Sequence, residues 1–293
     1  MEGASSPSAQ RGILLIVLAT GLFVLMDSIA KYLARSYPMP GVIWARYLVN
    51  FGMILAWFAA RGELHRIRTA RPGIQLARGA LLASSTFLYF MSLTVLPLAD
   101  AAAIGFVLPL FVAALAAPML GERLDFPRAL AIVVGLAGAL VIVRPGTSVF
   151  TPYALLPIGM AACNALYQVL TRKVAGSEHP LTSLVWGAMV GAVLTSLAAP
   201  FYFQVPAVAW HWALLAVVGV CASVGHYLLI RAYEYASATL IAPFTYTALV
   251  WALLFGFLVF GQLPDGWSIA GMTIIIASGL FLVARQRLAV RRA

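Results

Sequence analysis

Residues 12–35 read GILLIVLATGLFVLMDSIAKYLAR, a run in which Asp27, Lys31 and Arg35 are the charged positions. A helix of that length rises roughly 36 Å at ~1.5 Å per residue and so crosses the ~30 Å hydrocarbon core of a bilayer. A spanning strand needs only about ten residues and alternates in polarity, and this run does neither. Nine further apolar stretches have the same character: 42–60, 74–96, 99–120, 127–144, 153–174, 182–203, 210–234, 237–260 and 266–284. The longest connection between them, the basic segment Arg61–Pro72, is too short for a soluble domain. The sequence therefore predicts an all-α membrane protein of ten transmembrane helices, with its chemistry inside the bundle.

Composition agrees. Hydrophobic residues make up 63% of the chain and charged residues 10%, with a mean hydropathy of +0.97. A water-soluble domain with so little polar surface could not cover its core, whereas lipid accepts an apolar exterior. The formal charge of +10 could suggest a polyanion partner, but the cations follow topology instead. With the N-terminus in the cytoplasm, fifteen of the nineteen Lys and Arg fall on or near the inside, and Lys31, Arg35, Arg46 and Arg144 fall outside. That asymmetry orients the chain in a bacterial-type inner membrane with both termini cytoplasmic, and leaves a nucleic-acid partner without support. Cys163 and Cys221 both fall within apolar helices, so they read as core residues. The sequence has no zinc spacing, Walker A lysine loop, HExxH or GxSxG, so it implies no metal, no cofactor and no ATP hydrolysis by this chain.

Adding 140 or 141 to a position in the first half repeatedly reaches a similar residue in the second. Gly79 meets Gly219, Gly121 meets Gly261, Asp125 meets Asp265, and Lys31 meets Arg172. The register divides the chain into a tail over 1–11, a five-helix repeat over 12–144, a second over 145–284 and a basic tail over 285–293. Five crossings is an odd number, so the second unit must enter the membrane from the opposite side. Inverted repeats of this kind allow two related gates to alternate about a midplane site.

The fourth apolar stretch carries Pro109 and ends in Gly121-Glu122-Arg123-Leu124, echoed by Ala242-Pro243-Phe244 through Gly261-Gln262. On those residues the whole chain resembles the EamA-type drug/metabolite transporter superfamily. The run Pro243-Phe244-Thr245-Tyr246-Thr247 with Phe260-Gly261 resembles the branch that includes aromatic amino-acid exporters, departing from the common pattern in carrying Gln262 where Glu is frequent. The resemblance implies ten helices, alternating access and efflux of small metabolites, with amino acids, aromatic ones included, as the expected cargo. A drug or nucleotide-sugar carrier of the same superfamily is the alternative within transport, and a channel or an intramembrane lipid-modifying enzyme are alternatives of other classes. The sequence specifies neither coupling ion nor oligomeric state.

Polar residues inside the apolar runs mark candidate sites, because an ionisable group in lipid costs about 2.5–3.5 kcal/mol on insertion scales. Asp27 and Lys31 stand one turn apart on one face, readable as an ion pair or as a gating or proton-coupling element. Asn164, with Gln168 one turn on, needs a partner, which is either a neighbouring helix or a substrate in a wet cavity. His226 is either a packed bundle residue or a proton relay. Pro109 and Pro243 each remove a helical hydrogen bond and bend their helices, as hinges or as static kinks. Ser85 and Tyr89 share a face of the third helix, and Tyr246 lies in the ninth. The expected substrate site is a midplane cavity lined by Ser85, Tyr89, Asn164, Gln168, His226 and Tyr246, with polar anchors and aromatic walls.

Overall fold

A computed structural model describes residues 7–121, 125–146, 150–174, 180–236 and 238–292, and among them every regular element is helical. In the first unit α1 (Pro7–Leu33), α2 (Met39–Ala60) and α3 (Pro72–Leu93) are unbroken. The fourth crossing is divided into α4 (Leu98–Gly105) and α5 (Leu108–Leu120), and α6 (Phe126–Val143) completes the unit. The second unit runs through α7 (Leu156–Val174), α8 (Pro180–Tyr202) and α9 (Ala209–Tyr235). Its ninth crossing comprises a short α10 (Ala238–Ile241), a 3-10 turn over Ala242–Tyr246 and α11 (Thr247–Phe260), and α12 (Gly266–Arg292) follows. Among the described residues nine crossings are long and apolar enough to span a bilayer, and α6 contributes a shorter apolar stretch, Ala129–Val143. Leu14, Val133, Leu197, Phe201, Val250 and Leu258 are exposed on the outer faces, where lipid replaces water as solvent.

Helix α1 begins at Pro7 and α12 continues through Arg292, so much of 1–11 and 285–293 is helix. Residues 1–6, 293, and Glu122, Arg123 and Leu124 of the motif after α5 lie outside the described residues. Gly121 and Gly261 close α5 and α11 in the left-handed region at φ 72° and 65°, a helix stop that a side chain at either position would strain.

The largest packings keep their form when the two halves are exchanged. Helix α1 lies on α9 as α7 lies on α3, α2 on α9 as α8 on α3, and α5 on α7 as α11 on α1. The pairs α2–α8 and α6–α12 join an element to its own counterpart, and α4 meets α11, so the two broken crossings touch. The correspondence extends to single atoms. A Cβ at Gly79 would overlap Val190, and a Cβ at Gly219 would overlap Val49, residues offset by 140 and 141 respectively. Small residues at such points let backbones approach where no hydrophobic force drives helices together. Gly191 similarly leaves room for the Tyr47 ring, and Gly187 faces Leu82.

Both broken crossings interrupt at equivalent positions, but their prolines are not equivalent. Pro109 stands in the first turn of α5, just after the break, and Pro243 in the 3-10 turn just before α11. At the first break the Phe106 and Val107 amides bond back to Ala102, Ala103 and Ile104 in tightened turns. At the second, Thr245 and Thr247 hydroxyls donate to the Ala242 and Phe244 carbonyls at 2.7 and 2.6 Å. Side-chain donors of this kind make irregular backbone tolerable at membrane depth.

Candidate functional site

A cavity of about 480 Å³ lies between the halves. Toward the end away from the N-terminus it is lined by Asp27 on α1, Tyr89 on α3 and Met160 near the start of α7. From there it passes Phe106, Gln168 and Tyr246 to Ala117, Arg172, Tyr233 and Val283, close to the helix ends on the side of the chain's N-terminus. The cavity therefore opens at that end. The far end is shut. Lys31 Nζ donates to the Leu93 and Leu96 carbonyls at 2.9 and 2.5 Å and lies over the Phe260 ring, with Arg35 over the same ring. Tyr37 Oη is 2.7 Å from His211 Nδ1, and Arg144 pairs with Asp265.

Of the residues expected at the site, Tyr89, Gln168 and Tyr246 line the cavity, as do Asp27 and Pro109; Pro243 does not, although its neighbours Ala242 and Thr245 do. Ser85 and Asn164 stand one step back. Gln168 Nε2 donates to Asn164 Oδ1 at 3.0 Å, and Asn164 Nδ2 donates to Ser85 Oγ at 3.3 Å, so the amide of Asn164 both ties α7 to α3 and aims Gln168. His226 is a packed residue. Its Nδ1 bonds the Ala222 carbonyl at 2.7 Å within α9, and its ring meets Phe23 edge-on at 5.0 Å.

Asp27 does not pair with Lys31. The lysine ammonium satisfies backbone carbonyls at the end of α3, whereas the Asp27 carboxylate accepts a hydrogen bond from the Tyr89 hydroxyl and faces Arg46 on α2. Arg46 is not an interfacial cation either. It is 6% exposed, donates Nε to Met26 Sδ at 3.3 Å, and stacks over Tyr47 and Phe90, with Nη1 left without a partner. Arg78, counted with the inside cations, is buried as well, held by Gln75, Thr171 and Ser183. A charge inside the apolar run 42–60 was the signal for Arg46, masked by counting cations by side and not by depth.

Phe106 is a cavity-lining residue that sequence reasoning missed. It is Tyr246 minus 140, and the two rings stack at 4.8 Å and 23° where the broken crossings meet. Tyr246 is in turn seated against Gly279, whose Cα leaves no room for a methyl beside the Tyr246 hydroxyl. The stacked pair is thus a fixed aromatic platform in the cavity wall, one ring from each repeat.

Comparison with known proteins decides what this arrangement belongs to. The model of the EamA-like transporter family matches twice, over residues 10–144 and 151–284. The chain belongs to the EamA-like transporter family. Relatives of this EamA-like protein include an S-adenosylmethionine uptake transporter of Rickettsia conorii, 29% identical over 91% of this chain and 90% of that one. A pseudopaline exporter of Pseudomonas aeruginosa is 30% identical over 92% and 95%, and a riboflavin transporter of Vibrio cholerae is 28% identical over 94% of each. A solved crystal structure 22% identical, covering 92% of this chain and 96% of its own, shares the fold with a TM-score of 0.65. The protein is thus a multi-pass membrane transporter of small metabolites and not an enzyme. Relatives move cargo in both directions, so membership in the family does not carry a direction with it.

Proposed function

We propose that this transporter exports amino acids, aromatic ones included, across the inner membrane by alternating access, with the central cavity as its substrate site. The observation that carries the reading is the distribution of charge in that cavity. Asp27 is the one acid and Arg172 the one Lys or Arg among its described lining residues, at opposite reaches, with Phe23, Phe106 and Tyr246 between them. A zwitterion with a flat side chain meets complementary chemistry there. Its ammonium goes to Asp27 beside Tyr89, its carboxylate to the Gln168 amide in the field of Arg172, and its ring to the Phe106–Tyr246 platform. Both termini lie in the cytoplasm in this reading, so the open end of the cavity faces the side from which an exporter loads.

The same acid and rings also suit a sulfonium joined to a purine, and one relative is named for S-adenosylmethionine uptake. Counterflow in proteoliposomes with labelled tryptophan, phenylalanine, alanine, S-adenosylmethionine and riboflavin separates the readings. Exchange of tryptophan and phenylalanine ahead of alanine is expected. Exchange of S-adenosylmethionine with no amino acid would replace the proposal by the second reading.

A further inference from the structure

Lys31 and Arg172 occupy one position in the two repeats, offset by 141, yet they do different things here. Lys31, 8% exposed, binds the last carbonyls of α3 and the turn after it at the shut end. Arg172, exposed on α7, lines the mouth of the cavity at the open end, beside Tyr233 from the last turn of α9. The packing breaks its symmetry at the same place. Helix α1 packs on α3, whereas the equivalent α7 and α9 are not closely packed among the described residues. The final carbonyls of a helix lack intrahelical donors and carry the negative end of its dipole, so a cation from a neighbouring helix binds them strongly where water is excluded.

We infer that Lys31 and Arg172 are alternating latches: Lys31 on the C-terminal end of α3 holds the far end shut in the state seen here, and Arg172 on the C-terminal end of α9 holds the N-terminal end shut in the opposite state. As latches they are positioning residues, acting on the helices that frame the substrate; for Arg172 this is a second role beside the field it sets at the cavity mouth. Opening the far end draws α1 from α3 and releases Lys31 to water. Closing the other end brings α7 to α9 and delivers Arg172 to the α9 carbonyls. Each latch engages only when the other lets go, so the two cations bias one equilibrium in opposite directions. The inference rests on the alternating-access reading proposed above, and the opposed signs are what separate it from a structural role for either residue.

Ala30, 0% exposed and on the face of Asp27 one turn nearer the shut end, reports far-end opening. In a background lacking Cys163 and Cys221, the rate at which Ala30→Cys reacts with a maleimide in detergent follows the population of the far-open state. Lys31→Met should raise that rate about tenfold (about 1.4 kcal/mol) and Arg172→Met should lower it by a similar factor. Lys31→Arg and Arg172→Lys should restore the parental value. Arg172 sits on an exposed helix end, so its variant stays folded and tests the sign alone should Lys31→Met prove unstable. A rate unmoved by either change, or moved in the same direction by both, overturns the latches while leaving alternating access standing. An Ala30→Cys that never reacts in any variant, or on addition of the exchanged substrate, overturns both.

Discussion

Gly279→Ala places one methyl group on the Tyr246 hydroxyl, and the structure fixes what must yield. The added Cβ would overlap Tyr246 Oη and come 3.1 Å from Cζ. Keeping the ring in place forces α12 away from it, and overpacking of this kind costs about 1–3 kcal/mol. Turning the ring aside sacrifices its stacking on Phe106, worth about 0.5–1.5 kcal/mol. The second route costs less, so the aromatic platform should come apart while the bundle stays folded. In detergent the melting temperature should fall only modestly, and in counterflow tryptophan should lose its advantage over alanine. Because the conflict centres on the hydroxyl, Tyr246→Phe in the same chain should recover most of the loss, leaving the tighter 3.1 Å contact for a shift of a few tenths of an ångström. Gly73→Ala, with no atom within 4 Å of the new methyl, is the control. A Gly279→Ala protein with the parental tryptophan-to-alanine ratio, or a loss that Tyr246→Phe leaves untouched, would refute the platform.

Asp27→Asn should lower the melting temperature by removing the carboxylate that Arg46 faces, a loss of about 3 kcal/mol on the scale of broken buried pairs, and Arg46→Met in the same chain should recover stability; a parental melting temperature, with selective loss of pH-gradient-driven exchange, would instead make Asp27 a proton carrier. The Asp265 carboxyl, outside the spans, is held down at about 2 by hydrogen bonds from Arg144 and from the Ser268 amide. Since its folded pKa lies below the ordinary value near 3.9, its contribution is present in full above about pH 5 and is lost as pH falls through about 2. Asp265→Asn should therefore shift the melting temperature equally at pH 6 and pH 8, and a difference between those two would count against the pairing.

The spans and the repeat were legible because length, continuity and odd parity leave few solutions for an apolar chain. Tyr89, Gln168 and Tyr246 could be placed near mid-depth because depth follows from position along a helix. Their partners could not. Periodicity tells which residues of one helix share a face, but helices apolar on all sides do not show which face meets a cavity. Lys31 therefore paired on paper with Asp27, four residues away, while its true acceptors are backbone carbonyls of α3, groups that every residue carries and no sequence marks. Asn164 shows a related limit: its need for a partner was readable, its choice of Gln168 and Ser85 over a substrate was not. Phe106 was within reach through the offset of 140 from Tyr246, the one arithmetic step that joins the two broken crossings.

The interchange of the main helix pairings between the two halves also bears on energetics. On the alternating-access reading proposed above, one end of the bundle opens as the other closes, and each contact between halves that has a counterpart is traded for it. The free-energy difference between the two states cancels wherever the copies agree and survives where they diverge, at pairs such as Asp27 with Gln168, Lys31 with Arg172 and Phe106 with Tyr246. A chain built from two identical halves would divide its time equally between facing one side and the other. On that reading the resting preference of this one is encoded in the divergence of its repeats.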